Sequence, residues 1–300
     1  MRAMSKTRPV LITACSVALS LLACDKNNSE SVNADEATPA QKQAERPEFP
    51  DLDSVLASPH RGDAAARDEY RHPKQTLEFF GVERTMTVAE LWPGGGWYTD
   101  ILGPYLRDEG TLILTNFPKD HERYGERAQK FEDKITGNPD LYGTPTIVTG
   151  PTSPEQAFEL APEASVDVVL TFRNSHGWFN NSQTEQIYGA AFRALKPGGV
   201  FGIVQHRAAE GANAEETSKQ GYLPQALVIE QAQKAGFELV ETSEINANPA
   251  DTKDYPGGVW TLPPALSGPE QGVEQSEEDK AKHIEIGESD RMTLKFKKPA

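Results

Sequence analysis

Val88-Ala89-Glu90-Leu91-Trp92-Pro93-Gly94-Gly95-Gly96-Trp97-Tyr98-Thr99 decides the fold. An apolar run halts at a carboxylate, three glycines follow, and Tyr98 to Tyr105 begins an amphipathic helix. A short apolar run entering a glycine turn and then a helix reads as a strand–turn–helix unit. In open α/β sheets, nucleotide-like ligands sit at such turns, outside the carboxyl ends of the strands. The glycines let the backbone approach a ligand in conformations that a side chain forbids. A glycine turn can also be a plain connector, so the rest of the chain has to decide.

Working outward, Ser165-Val166-Asp167-Val168-Val169-Leu170-Thr171-Phe172 repeats the buried-strand pattern. Ala191 to Lys196 ends a helix, Pro197-Gly198-Gly199 turns, and Val200 to Val204 is a further apolar strand. Ala235-Gly236 closes a helix ahead of Phe237-Glu238-Leu239-Val240. This ordered set closely resembles the class I S-adenosylmethionine-dependent methyltransferases, over about residues 87–240 and on to a strand near 291–297. Within that superfamily the chain is most similar to a group of bacterial methyltransferases with the Trp-Pro-Gly-Gly-Gly-Trp-Tyr turn. The resemblance implies an α/β, Rossmann-like fold: a seven-stranded, mostly parallel sheet with helices on both faces and an antiparallel last strand near 292–297. It implies S-adenosylmethionine as cofactor, over the ends of the first strands, beside Glu90, Pro93, Gly94, Gly95, Gly96, Trp97 and Asn116.

Two positions depart from the family pattern acid-x-Gly-x-Gly-x-Gly. Trp92 stands where the first glycine is expected, with Gly94 and Gly96 at the other two. A ring there needs room, so the entry to the pocket is shaped differently. The second strand, residues 110–116, ends in Asn116 rather than the acid that holds both ribose hydroxyls. An amide accepts one hydrogen bond and donates another but lacks the strength of a carboxylate.

The acceptor side is expected after the strand 165–172, in Phe172-Arg173-Asn174-Ser175-His176-Gly177-Trp178-Phe179. Methyl transfer from a sulfonium is an in-line displacement that mainly needs alignment. His176 has the pKa range of a general base, Asn174 suits a hydrogen bond to the acceptor, and Trp178 suits a wall. His176 is equally compatible with a loop histidine capping backbone. His206 is a second candidate base, and Tyr222 a further lining residue by position. The six histidines are scattered without metal-ligand spacing, so no metal is expected.

Arg2, Lys6 and Arg8 precede a short apolar run, Val10 to Ala23, that has the layout of a secretory signal. It ends in Leu21-Leu22-Ala23-Cys24, which resembles the lipobox of bacterial lipoproteins. That resemblance implies lipidation at Cys24 and a domain anchored at the periplasmic face of a membrane. Asp25 favours inner-membrane retention in some bacteria, and either membrane stays open. Residues 1–24 are thus the signal and 25–50 a polar tether. Residues 51–300 form the domain: a helical extension (51–83), a core (84–245), a long loop (246–283) and a last strand (290–298). Within the extension, Arg67-Asp68-Glu69-Tyr70-Arg71 reads as a solvated helix face, although such extensions often lie across the pocket in methyltransferases. The polar stretch 207–221 suits a gating loop, and Tyr255 and Trp260 suit a cover over the site.

The only cysteines, Cys15 and Cys24, fall in the signal, which excludes cysteine chemistry in the domain. The chain carries a net charge of −15; removing the signal takes away three positive charges and no negative ones, to −18. Such acidity argues against nucleic acid and for a small-molecule partner. The cofactor is made in the cytoplasm, whereas the anchor implies a domain outside it. Three readings follow: a tethered methyltransferase, a noncatalytic binding lipoprotein that keeps the fold, and a different enzyme using His176.

Overall fold

Thr87–Leu91, the apolar run before the glycine turn, is the first strand (β1) and pairs in parallel on both sides. Its neighbours are β2 (Thr111–Asn116) and β4 (Val166–Phe172). Beyond them lie β3 (Thr146–Thr149) and β5 (Leu195–His206), also parallel. β7 (Arg291–Lys297) runs antiparallel between β5 and β6 (Glu238–Ser243). The order β3-β2-β1-β4-β5-β7-β6 is the seven-stranded, mostly parallel sheet expected from the sequence. The computed structural model describes residues 47–268 and 273–300. The signal, Cys24 and the tether up to residue 46 lie outside the described residues.

Alternation along the strands assigns each side chain to a face. Val88, Leu112, Leu114, Val168 and Leu170 pack under the helices Pro73–Phe80, Thr99–Leu106 and Gly125–Thr136. Ala89, Leu91, Val169, Phe201 and Ile203 pack under Thr184–Ala194 and Gln225–Lys234. Glu90 shares the face of Val88, beneath the start of the Thr99–Leu106 helix. No helix among the described residues is long and apolar enough to cross a membrane.

Two local readings change. Pro197-Gly198-Gly199 is not a free turn but part of β5, because Gly198 donates to the Lys298 carbonyl and Lys298 to that of Gly199. The extension is helical but broken into four pieces, Leu52–Leu56, Pro59–Arg67, Asp68–Arg71 and Pro73–Phe80, with left-handed backbone at Gly62 and His72. Nor is it a solvated face. Arg61 and Arg71 are buried, and their guanidinium groups lie 5.0 and 4.6 Å from the Trp97 ring. Arg61 also pairs with Asp68 at 2.5 Å.

The extension is fastened by a defect in the helix it crosses. Pro104 has no N–H for the Asp100 carbonyl four residues back. His60 supplies one, donating from Nε2 at 2.7 Å, while Nδ1 accepts from Ser58 Oγ at 2.8 Å.

Candidate functional site

A cleft of about 780 Å³ opens over the carboxyl ends of β1, β2 and β4, where the strand order reverses direction. Pro93, Gly94, Gly95 and Trp97 line one wall. Gly94 adopts φ +64, and a Cβ at Gly94 or Gly95 would meet nothing within 4 Å, so this backbone is open to a ligand. Gly96 serves the fold instead: its φ is +83, and a Cβ there would lie 2.9 Å from the Phe131 ring. It is not a cleft wall.

Trp92 takes the left-handed conformation of the missing glycine, φ +45. Its N–H donates to Thr115 Oγ1 at 2.7 Å, and its ring lies against Phe117, Phe158 and Trp178 at centroid distances of 6.1, 5.9 and 5.3 Å. The room comes from Gly150, just after β3, where a Cβ would stand 2.2 Å from the ring. The indole therefore forms the cleft wall between the ends of β2, β3 and β4, and its buried Nε1 has no partner.

Neither polar group expected to grip the cofactor is free. Glu90 is 2 % exposed, is not a cleft wall, and accepts from Thr99 Oγ1 at 2.6 Å. Burial raises its pKa to about 8. Asn116 reaches the cleft, but its Nδ2 donates to the Ala128 carbonyl at 3.0 Å and its Oδ1 accepts from the Phe117 N–H at 2.9 Å.

At the end of β4, Asn174, His176 and Trp178 line the same cleft, joined by Arg173, His206 and Trp260. Asn174 is mainly a staple: its Nδ2 donates to the carbonyls of Leu91 and Trp92 at 2.8 and 3.2 Å and lies 3.2 Å from Thr171 Oγ1. Burial lowers the pKa of His176 to about 4, so the ring is neutral near pH 7. Gln205 Nε2 donates to the Gly221 carbonyl at 2.8 Å, which fixes the amide's orientation. The same nitrogen lies 3.3 Å from His176 Nδ1, so Nδ1 is the acceptor and Nε2 carries the proton. His176 is thus arranged as a hydrogen-bond donor. His206 lies 6.0 Å away, with Nδ1 against Ser289 Oγ at 2.5 Å. Trp260 meets His176 edge-on at 5.9 Å. Tyr222 is elsewhere, with its hydroxyl on both Asp251 oxygens at 3.1 Å in a small cluster with Ala208 and Val259. No cluster of three or more His, Cys, Asp or Glu residues with metal-binding geometry occurs among the described residues.

Sequence reasoning quoted Arg173 without giving it a role and missed Glu288. Glu288 lies 217 residues from Arg71, so no short-range pattern reveals the pair. Its buried carboxylate meets Arg67, Arg71 and Arg291 at 2.6, 2.9 and 3.1 Å. Burial alone would raise the Glu288 pKa; Arg291, Arg71, Arg173 and Arg67 hold it at about 2.

No protein-family model and no curated protein matches the chain. Among solved structures it is similar to a SAM-dependent methyltransferase from Aquifex aeolicus, at 18 % identity over 66 % of this chain and 94 % of that one, TM-score 0.46. A putative sarcosine dimethylglycine methyltransferase from Galdieria sulphuraria is similar at 16 % identity over 78 % and 87 %, TM-score 0.49. Geranyl diphosphate methyltransferase in complex with SAM is similar at 12 % over 82 % and 90 %, TM-score 0.48. The fold assignment rests on the strand order and register above.

Proposed function

We propose that the protein is an S-adenosylmethionine-dependent methyltransferase, acting on a small-molecule or envelope-derived acceptor. The supporting observation is the cleft at the reversal point of the sheet, with the open Gly94–Gly95 backbone in its wall. Its volume falls within the roughly 300–1,000 Å³ of small-molecule sites. When bound, the cofactor supplies an electrophilic methyl group on a sulfonium. Pro93, Gly94, Gly95 and Trp97 fit its amino-acid end by close backbone approach. Phe117 and Tyr124, stacked at 4.4 Å, offer flat surface for the base. The ribose end fits less well, since Asn116 has only a remaining Oδ1 lone pair to give. Trp178 and Trp260 wall the acceptor side against water, and His176 donates from Nε2 to an acceptor atom. Such a site suits an acceptor that needs no deprotonation.

A second reading is a noncatalytic binding protein that keeps the fold, favoured by the two tied groups, Glu90 and Asn116. Calorimetric titration of S-adenosylmethionine and S-adenosylhomocysteine tests the first. Gly94→Asp is the blocked control, because Asp tolerates left-handed backbone while filling the open wall. Micromolar binding lost in Gly94→Asp supports the cofactor site; silence at millimolar ligand sinks it. Binding without methyl transfer over a broad acceptor panel favours the second reading.

The location is part of the proposal: a lipid anchor on Cys24 at the periplasmic face of a bacterial membrane, on the strength of the Leu21-Leu22-Ala23-Cys24 sequence. Cys24→Ser should release the protein from the membrane fraction; retention of an unlipidated chain would refute tethering.

A further inference from the structure

The cleft is positive in a chain that is strongly negative. The charged walls are Arg67, Arg123, Arg127 and Arg173 against one acid, Asp100, which already pairs with Lys134 at 2.6 Å. The imbalance is concentrated at the end of β4. Arg67, Arg71, Arg173 and Arg291 act on a single carboxylate, Glu288. Three of their nitrogens, Arg67 Nη2 and both Nη atoms of Arg71, are buried without a partner. Arg71 is 1 % exposed, and burial, followed by the charge of Arg173, lowers its pKa to about 8. Guanidinium nitrogens without acceptors, away from water, are unfavourable unless an anion completes them.

Arg173 is the member that faces the cleft, and Glu288 acts on it only at a distance. Its backbone is left-handed at φ +67, a strained state for a side chain of this size, and its N–H is fixed to the Val204 carbonyl at 2.7 Å. Its guanidinium group makes no hydrogen bond or ion pair with any described residue. His176, three residues on, turns a neutral N–H donor to the same cleft. Donors without acceptors, on a strained backbone, are the arrangement for recognising an oxyanion.

We infer that the ligand on the acceptor side carries a compact oxyanion, a carboxylate or a phosphate, seated on Arg173 with Arg67 and His176 as further donors. The inference rests on this cleft being the binding site, not on methyl transfer. Inorganic phosphate and acetate are titrated into the full protein by calorimetry in chloride-free buffer, the two arms separating phosphoryl from carboxyl preference. Saturable one-to-one binding of at least one is expected. Arg173→Met should weaken it at least ~10-fold while the far-ultraviolet spectrum stays native, because Arg173 acts on Glu288 only at a distance and bonds no other side chain. Arg127→Met, at the exposed rim, should change it less than ~2-fold, since rim charge is screened. No saturable binding of either anion overturns the inference. So does equal weakening by Arg127→Met, or displacement of phosphate by S-adenosylhomocysteine, which would give the arginines to the cofactor's own carboxylate. Anion binding with no cofactor binding sinks only the methyltransferase reading, and the converse sinks only this one.

Discussion

Replacing Glu90 by Gln should make the protein more stable at pH 8 than at pH 6.5, relative to the native chain. The carboxyl is sealed between β1 and the Thr99–Leu106 helix, and burial raises its pKa from 4.5 to about 8. The folded protein therefore holds a proton that the unfolded chain releases above pH 4.5. Stability then falls as pH rises and levels off beyond the folded pKa. At 1.36 kcal/mol per pH unit, the penalty from 4.5 to 8 is about 5 kcal/mol, of which about 2 kcal/mol accrues between 6.5 and 8. Buried His176 works with the opposite sign: its folded pKa of about 4 makes stability fall as pH drops through 6.5. Histidine effects are common to both proteins and cancel in the difference. Gln keeps an acceptor for Thr99 Oγ1 and cannot ionise. Thermal midpoints measured at steps from pH 6.5 to 8 should show the native chain losing roughly 4–8 °C against Glu90→Gln, at ~2–4 °C per kcal/mol for a domain of this size. Parallel curves in that window would refute the burial argument and mean that the carboxylate is ionised and otherwise compensated.

His60→Ala removes the donor that replaces the missing Pro104 N–H and should cost about 1–3 kcal/mol in urea unfolding. Pro104→Ala in that background restores an intrahelical donor to the Asp100 carbonyl, so the double variant should recover much of the loss; strict additivity would disprove the coupling. Gly150→Ala puts a methyl 2.2 Å from the Trp92 ring and should cost about 1–3 kcal/mol and shift the tryptophan near-ultraviolet signal. Adding Trp92→Leu should relieve it; an unchanged spectrum in the single variant would show that the ring does not depend on that glycine.

The sheet was legible because its strands are apolar runs bounded by glycine turns, and the order of β1 to β5 follows from one reversal at β1. β3 was not, being four residues long with no buried side chain to mark it. At the site, the Gly94–Gly95 wall and the meeting of Asn174, His176 and Trp178 could be read from position. What each group does could not, because that depends on partners far along the chain. Gln205 and Gly221 set the tautomer of His176, Ala128 occupies Asn116, and Thr99 closes off Glu90. The net charge pointed the wrong way locally, since an acidic surface says nothing about four arginines turned into one cleft.

The antiparallel β7 is threaded between β5 and β6 rather than laid along a margin. During synthesis, then, β5 and β6 have no common neighbour until residues 291–297 emerge. The same segment brings Glu288, the carboxylate around which Arg67, Arg71 and Arg173 gather. Residues 288–297 therefore supply in one stretch both the strand that joins β5 to β6 and the carboxylate that neutralises the arginine cluster. A ribosome-stalled chain ending before residue 288 should remain protease-sensitive throughout, with no stable half-domain.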